Sequence, residues 1–317
     1  MPFALTTRWN AGRHRDGEAM IEEILELGFA CVELGYDTRL DLVPGVLRMV
    51  EQRAVSVGSV HNFCPVPMVA QRPHPELFTF GSRDRRVRAK AVAHTIETIR
   101  FAAAVGARVV VTHCGNIDMP RYTPDLIELC LSGERHSARY EKIAGKLQDK
   151  RRKKAPRQID YWCECLEQLL PVLEEHRIQL GMENLPTWEA IPTESELEAV
   201  LQRFQSPWLK YWHDLGHGQI RENLGLINVE RWLDRLAPSL AGMHVHDVAA
   251  PAADHVMPPL GDVDFSRYKR FGGLTIERVI EPTQQTPAEQ IKAAHDFLKT
   301  VWPETAGSHP TANEDKQ

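Results

Sequence analysis

Short apolar runs alternate along the chain with longer stretches in which apolar residues recur every three to four positions. This alternation predicts strands and helices in turn. Strands are expected at residues 3–6, 31–34, 55–61, 108–113, 179–183, 209–214, 240–246 and 274–279. Helices are expected from a cap at Asp16 to Leu27, and at 43–53, 87–105 and 159–175. Thr193-Glu-Ser-Glu196 and Thr286-Pro-Ala-Glu289 have the capping-box spacing and predict helices to Phe204 and Val301. Asn228 is a candidate cap for a helix to Leu236.

The pattern breaks twice. Residues 62–82 form a Pro-rich loop too long for a plain connector, and are expected to wall a site. Residues 115–157 hold a short helical stretch near 126–131 and the basic run Lys150-Arg-Arg-Lys-Lys154. They are expected to be an insertion after the fourth strand. The basic run is then either a solvated helix face or a contact for an anionic substrate or partner subunit. Residues after Pro303 are polar and are expected to be a disordered tail.

Eight strands alternating with helices in a chain of this length predict one (β/α)8 barrel over residues 1–302, with the insertion at about 115–157 and the tail at 303–317. No Gly-x-Gly-x-x-Gly follows the first strand, which weighs against a dinucleotide fold. No apolar stretch reaches the ~18 residues that predict a membrane span. The N-terminus reads as a strand rather than a signal peptide. Six irregularly spaced cysteines point to reduced thiols, so a cytoplasmic protein is expected. The net charge of −5 argues against a surface that coats nucleic acid.

The chemistry lies where the strands end. From the third onward the predicted strands close on His61, His113, Glu183, Asp214, His244 with His246, and Glu277. An ordinary core has no reason for that repetition, whereas a barrel that gathers its chemistry at one rim does. Three carboxylates and one imidazole suit Mn²⁺, Mg²⁺, Co²⁺ or Zn²⁺, and leave open positions for substrate oxygens. His213 and His246, each beside a stronger candidate, are expected to be structural.

Met182-Glu-Asn184, Asp214-Leu-Gly-His217, His244-Val-His-Asp247, the segment Pro258-Pro-Leu-Gly-Asp-Val-Asp-Phe265 and Ile276-Glu277, in that order, resemble the xylose-isomerase-like TIM-barrel superfamily. That superfamily includes sugar-phosphate isomerase/epimerase-like proteins and endonuclease IV. The resemblance implies one divalent metal on Glu183, Asp214, His244 and Glu277. It implies an isomerase or epimerase of a sugar or related hydroxy-carbonyl compound, working through a metal-stabilised enediolate, with Glu183 and Glu277 handling protons. His217, His61, His113, Trp188, Arg8 and His255 are candidates to contact a small sugar or polyol. The endonuclease branch implies up to three zinc ions, with His61, His113, His217, Asp254 and His255 as added ligands. Here Asp254 and His255 are adjacent, where that branch separates the two by one residue. A lyase or dehydratase acting on a polyol is a further alternative, and a homo-oligomer fits any of these readings.

Overall fold

The computed structural model describes residues 1–271 and 274–303. Eight parallel strands close into a barrel: β1 (Phe3–Thr6), β2 (Cys31–Leu34), β3 (Ser56–His61), β4 (Val109–Thr112), β5 (Gln179–Glu183), β6 (Leu209–Asp214), β7 (Leu240–Val245) and β10 (Glu277–Ile280). Between β7 and β10 lies an antiparallel hairpin, β8 (Asp247–Ala249) and β9 (Ala253–Val256). The helices are α1 (Gly17–Glu26), α2 (Val43–Glu51), α3 (Arg85–Ala104), α4 (Thr123–Leu131), α5 (Ala138–His176), α6 (Glu194–Phe204), α7 (Leu215–Asn223), α8 (Val229–Leu236) and α9 (Ala288–Val301). Among the described residues no helix is long and apolar enough to cross a membrane. The expected tail lies outside the described residues, apart from Pro303.

Two apolar layers hold the barrel. Inside it Ala4, Cys31, Val109, Val111, Trp212, Ala241 and Val279 pack together, and a larger cluster fills the space between strands and helices. Alternation along each strand assigns side chains to one layer or the other. Trp212 can occupy the small interior because Gly242 and Gly181, on the neighbouring strands, present no side chain to it.

The helix starts read from sequence are made as expected at α1, α6 and α8. The Asp16, Thr193 and Asn228 side chains accept hydrogen bonds from backbone amides, and Thr193 with Glu196 forms the full reciprocal box. The start of α9 differs. Pro287 is its cap and makes no side-chain bond, while the Thr286 hydroxyl pairs with Thr283. Residues 115–157 follow β4, as the sequence pattern places them. They comprise α4 and the first half of α5, which runs unbroken through Pro156 into the barrel helix. In the basic run Arg151 is buried, donating to the Trp188 carbonyl and to Glu196.

Candidate active site

The site is built at the C-terminal ends of the strands, and His244 on β7 is its centre. Its Nδ1 lies 3.1 Å from Glu183 Oε1, 3.3 Å from Glu281 Oε2 and 3.8 Å from Asp214 Oδ2. Its other nitrogen, Nε2, lies 3.1 Å from Glu33 Oε1, and Glu33 in turn accepts from the Ser59 hydroxyl at 2.8 Å. Glu33 thus orients the imidazole by pairing with Nε2, so that Nδ1 faces the three carboxylates. All five of these ionisable side chains are buried.

Glu277 does not join them. It opens β10 and pairs in register with Gly242, two residues before His244. Its carboxylate meets Arg108 at the N-terminal end of the barrel. The strand starts and ends later than the sequence pattern indicates, so the residue at its C-terminal end is Glu281. Residues 277, 279 and 281 share the inward face, and Val279 sits between the two acids in the interior layer. The missed signal was the apolar pair Val279–Ile280, which carries the strand past Glu277.

Electrostatics bind the group together. Burial pushes the Glu183 carboxyl up, but His244 and His113 hold it well below the usual range. Burial acts the same way on Glu281, and there His244, His255 and Arg8 hold the pKa well down. Burial disfavours a charged His244, yet Glu281, Glu33 and Glu183 drive its pKa well above normal. The Arg8 guanidinium lies 2.9 Å from Glu281 Oε1 and 5.4 Å from the Tyr36 ring centre.

Two histidine groups flank this centre. His61 and His113 place Nε2 atoms 3.3 and 3.2 Å from Glu183 Oε2. On the other side, ligand atoms of His217, His246 and His255 lie within 4.8 Å of one another. His246, expected to be structural, is 3.0 Å from Asp214 Oδ1. Asp254 reaches to 3.9 Å from His217. His213 turns away to the Tyr211 hydroxyl at 2.6 Å.

A cavity of about 320 Å³ opens over the centre. Arg8, His61, His113, His217 and His255 line it together with Glu183 and Glu281. The 62–82 loop contributes His74, Pro75 and Glu76, and the segment after β4 contributes Asn116 and Arg121. Trp188 is not part of its wall. Its ring lies beneath Arg151 and Arg221, 5.7 and 5.4 Å from their guanidinium carbons. Glu33, Tyr36, His246 and Glu281 are the site residues that sequence reading missed. Glu33 lies within β2 and Tyr36 just after it, and that strand has no histidine, so the repeated strand-end signal did not extend to them.

The donor set fits a divalent cation. Three buried carboxylates converging on one imidazole nitrogen repel one another unless positive charge stands between them. Glu183 Oε2 is buried and meets only the His61 and His113 imidazoles, at 3.3 and 3.2 Å, neither in hydrogen-bonding geometry. Hard oxygen donors with one nitrogen match Mn²⁺, Mg²⁺, Co²⁺ or Zn²⁺.

Fold and site together define a (β/α)8 barrel with a cluster of His, Asp and Glu side chains gathered at its strand ends. The chain belongs to the xylose isomerase-like TIM barrel family, whose profile matches residues 21–301. No curated protein matches it in sequence. Among solved structures it resembles a D-tagatose 3-epimerase-like protein, at 19% identity and a TM-score of 0.67, over 95% of this chain and 97% of that one. D-psicose 3-epimerase with D-tagatose, from Clostridium cellulolyticum H10, matches at 12% identity and a TM-score of 0.65, over 95% and 99%. The IOLI protein with a binding zinc atom matches at 11% and 0.65, over 95% and 98%.

Proposed function

We propose that this protein is a divalent-metal-dependent isomerase or epimerase of a small sugar or related hydroxy-carbonyl compound. The observation that carries the reading is the placement of Glu183 and Glu281 at 3.1 and 3.3 Å from one nitrogen of His244, beneath a cavity of about 320 Å³. That volume is at the lower end for small-molecule sites and suits a ligand of monosaccharide size. The epimerase and the epimerase-like protein whose fold it shares support the same reading.

Glu183, Asp214, His244 through Nδ1, and Glu281 would hold the ion. When bound, it supplies Lewis-acid stabilisation for the negative charge that develops on a substrate oxygen as a neighbouring carbon loses its proton. The chain's own residues do the rest. Glu183 and Glu281, each held ionised by its cationic neighbours, are the candidate proton carriers: one takes a carbon-bound proton, and a carboxyl that has gained a proton, from the substrate or from solvent, returns one to carbon. The Glu281 role replaces the one expected of Glu277. Arg8 holds one oxygen of Glu281 and leaves Oε2 directed at His244. His61, His113, His217 and His255 surround the cavity with donors for hydroxyl groups.

The test is solvent exchange. In D₂O, the metal-loaded protein should place deuterium beside the carbonyl of one member of a ketose and aldose panel, and Glu281→Gln should suppress it. Absence of exchange in every sugar would sink the proposal.

The flanking histidine groups favour a second reading, a multinuclear zinc phosphodiesterase. Three zinc ions per chain together with cleavage of abasic DNA would select it.

A further inference from the structure

The 39-residue helix α5 carries a charge pattern along its outer face that the barrel does not need. Arg139, Lys142, Lys146, Lys150, Lys153 and Arg157 follow one another at steps of three or four residues, and Asp160, Glu164, Glu167 and Glu175 continue the same line. At 100° per residue these ten positions fall within an arc of about 100°. All ten are exposed, while Tyr140, Leu147, Leu166 and Leu173 bury the opposite side. The face is positive to Arg157, apart from Asp149, which is paired with Arg152 at 2.9 Å, and negative from Asp160 onward.

We propose that this face is a self-complementary docking surface on which two copies of the chain pair their α5 helices antiparallel about a two-fold axis. A two-fold between residues 158 and 159 sets Arg157 against Asp160, Lys153 against Glu164, Lys150 against Glu167 and Lys142 against Glu175, each pair occurring twice. A parallel or shifted pairing opposes like charges. An isologous contact needs one patch to complement itself, and this one does.

The charges are largely free to make it. Among the described residues Arg139, Lys142, Lys146, Lys150, Lys153, Asp160 and Glu175 have no ion-pair partner. Arg157 is hydrogen-bonded to the Tyr161 hydroxyl at 2.7 Å. Glu164 and Glu167 meet Arg88 of α3 and Arg203 of α6, at 3.3 and 3.1 Å, and both acids remain more than half exposed. A free polyanion would use only the positive half and be repelled by the other. A lipid surface would find no large exposed apolar side chain along the line. The four matched pairs select a second copy, with Lys146 facing Pro171 and Arg139 lying past the end of the partner helix.

The facing area is small: about 54 Å of helix by roughly 10 Å gives on the order of 500 Å² per copy, at the low end for specific association. Exposed pairs are also screened by salt. The dimer should therefore be salt-sensitive. Sedimentation equilibrium of the full chain should approach twice 36.0 kDa at low ionic strength and fall to the monomer mass in concentrated salt. K142E/K150E/K153E and E164K/E167K/E175K should each be monomeric alone, and an equimolar mixture should recover the dimer because both halves again match. K150E/E167K in one chain exchanges a pair without losing complementarity and should still dimerise, which separates loss of docking from misfolding. A wild type that stays monomeric at low salt, or a dimer untouched by either triple reversal, overturns the proposal. So does a monomeric wild type that retains a labelled oligonucleotide which the lysine reversal releases, since that assigns the positive half to nucleic acid.

Discussion

Glu277 and Glu281 lie on the same inward face at opposite ends of one strand, the first paired with Arg108 and the second with Arg8 and His244. The two acids are alike in sequence and in burial, and only their height in the barrel separates them. Their substitutions should separate as well. Glu281→Gln is expected to lower turnover by at least about 100-fold, the low end for a proton-transfer group, and to weaken metal retention. Glu277→Gln should leave both intact and cost about 1.5 kcal/mol of stability, the low end for a charged hydrogen bond because Arg108 is half-exposed. Metal content and a urea midpoint measured on both variants decide it, and equal loss of metal in both would contradict the assignment.

Glu33 touches the site only through the far nitrogen of His244. Glu33→Gln should leave the cavity intact while freeing the imidazole to rotate or change tautomer. A 10- to 100-fold loss of metal affinity is the usual size of such an effect. Competition with a chelator measures it directly, and unchanged affinity would show that His244 needs no such support.

Acid sensitivity should come partly from a residue far from the site. His295 on α9 stacks on Phe29 at 4.1 Å, and burial first, then Lys299, lowers its pKa to about 4. The unfolded chain, with an ordinary value near 6.5, binds this proton more readily, so stability is lost as pH falls from about 6.5 towards 4. The loss should reach as much as ~3 kcal/mol. His295→Phe should flatten the pH dependence of the urea midpoint in that window. An unaltered profile would assign the sensitivity elsewhere.

Thr193→Ala should cost about 1 kcal/mol, because it removes one half of the reciprocal cap on α6 and leaves Glu196 holding the other. A shift in urea midpoint checks this, and Thr193→Ser should restore most of it.

Most of the barrel was legible because each strand announces itself by an apolar run and each helix by its period. β1, β2, β5 and β6 have the expected bounds, and the caps at Asp16, Thr193 and Asn228 follow from local chemistry alone. What escaped was set by three-dimensional context. Glu33 becomes part of the site only because β2 stands where its inward acid reaches a histidine far along the chain. The first half of α5 hid its helical character because the stretch is dominated by basic residues, several of them without a buried counterpart. α7 was missed because its glycines, Gly216 and Gly218, are poor helix formers. They are small because His246 and His213 occupy the space where a side chain would project.

Asp214 caps α7, accepting from the His217 amide at 2.7 Å with the same carboxylate that faces His244 and His246. Site occupancy and the integrity of a helix therefore share one side chain. Whatever binds at Asp214 also tightens the first turn of α7 and fixes where His217 stands, so ligand loading should register as slowed amide exchange there. Asp214→Ala removes both roles at once, whereas Asp214→Asn keeps an oxygen for the helix and gives up only the charge. The difference in melting temperature between these two variants isolates how much of the barrel's local order resides in a residue whose sequence context advertises only chemistry.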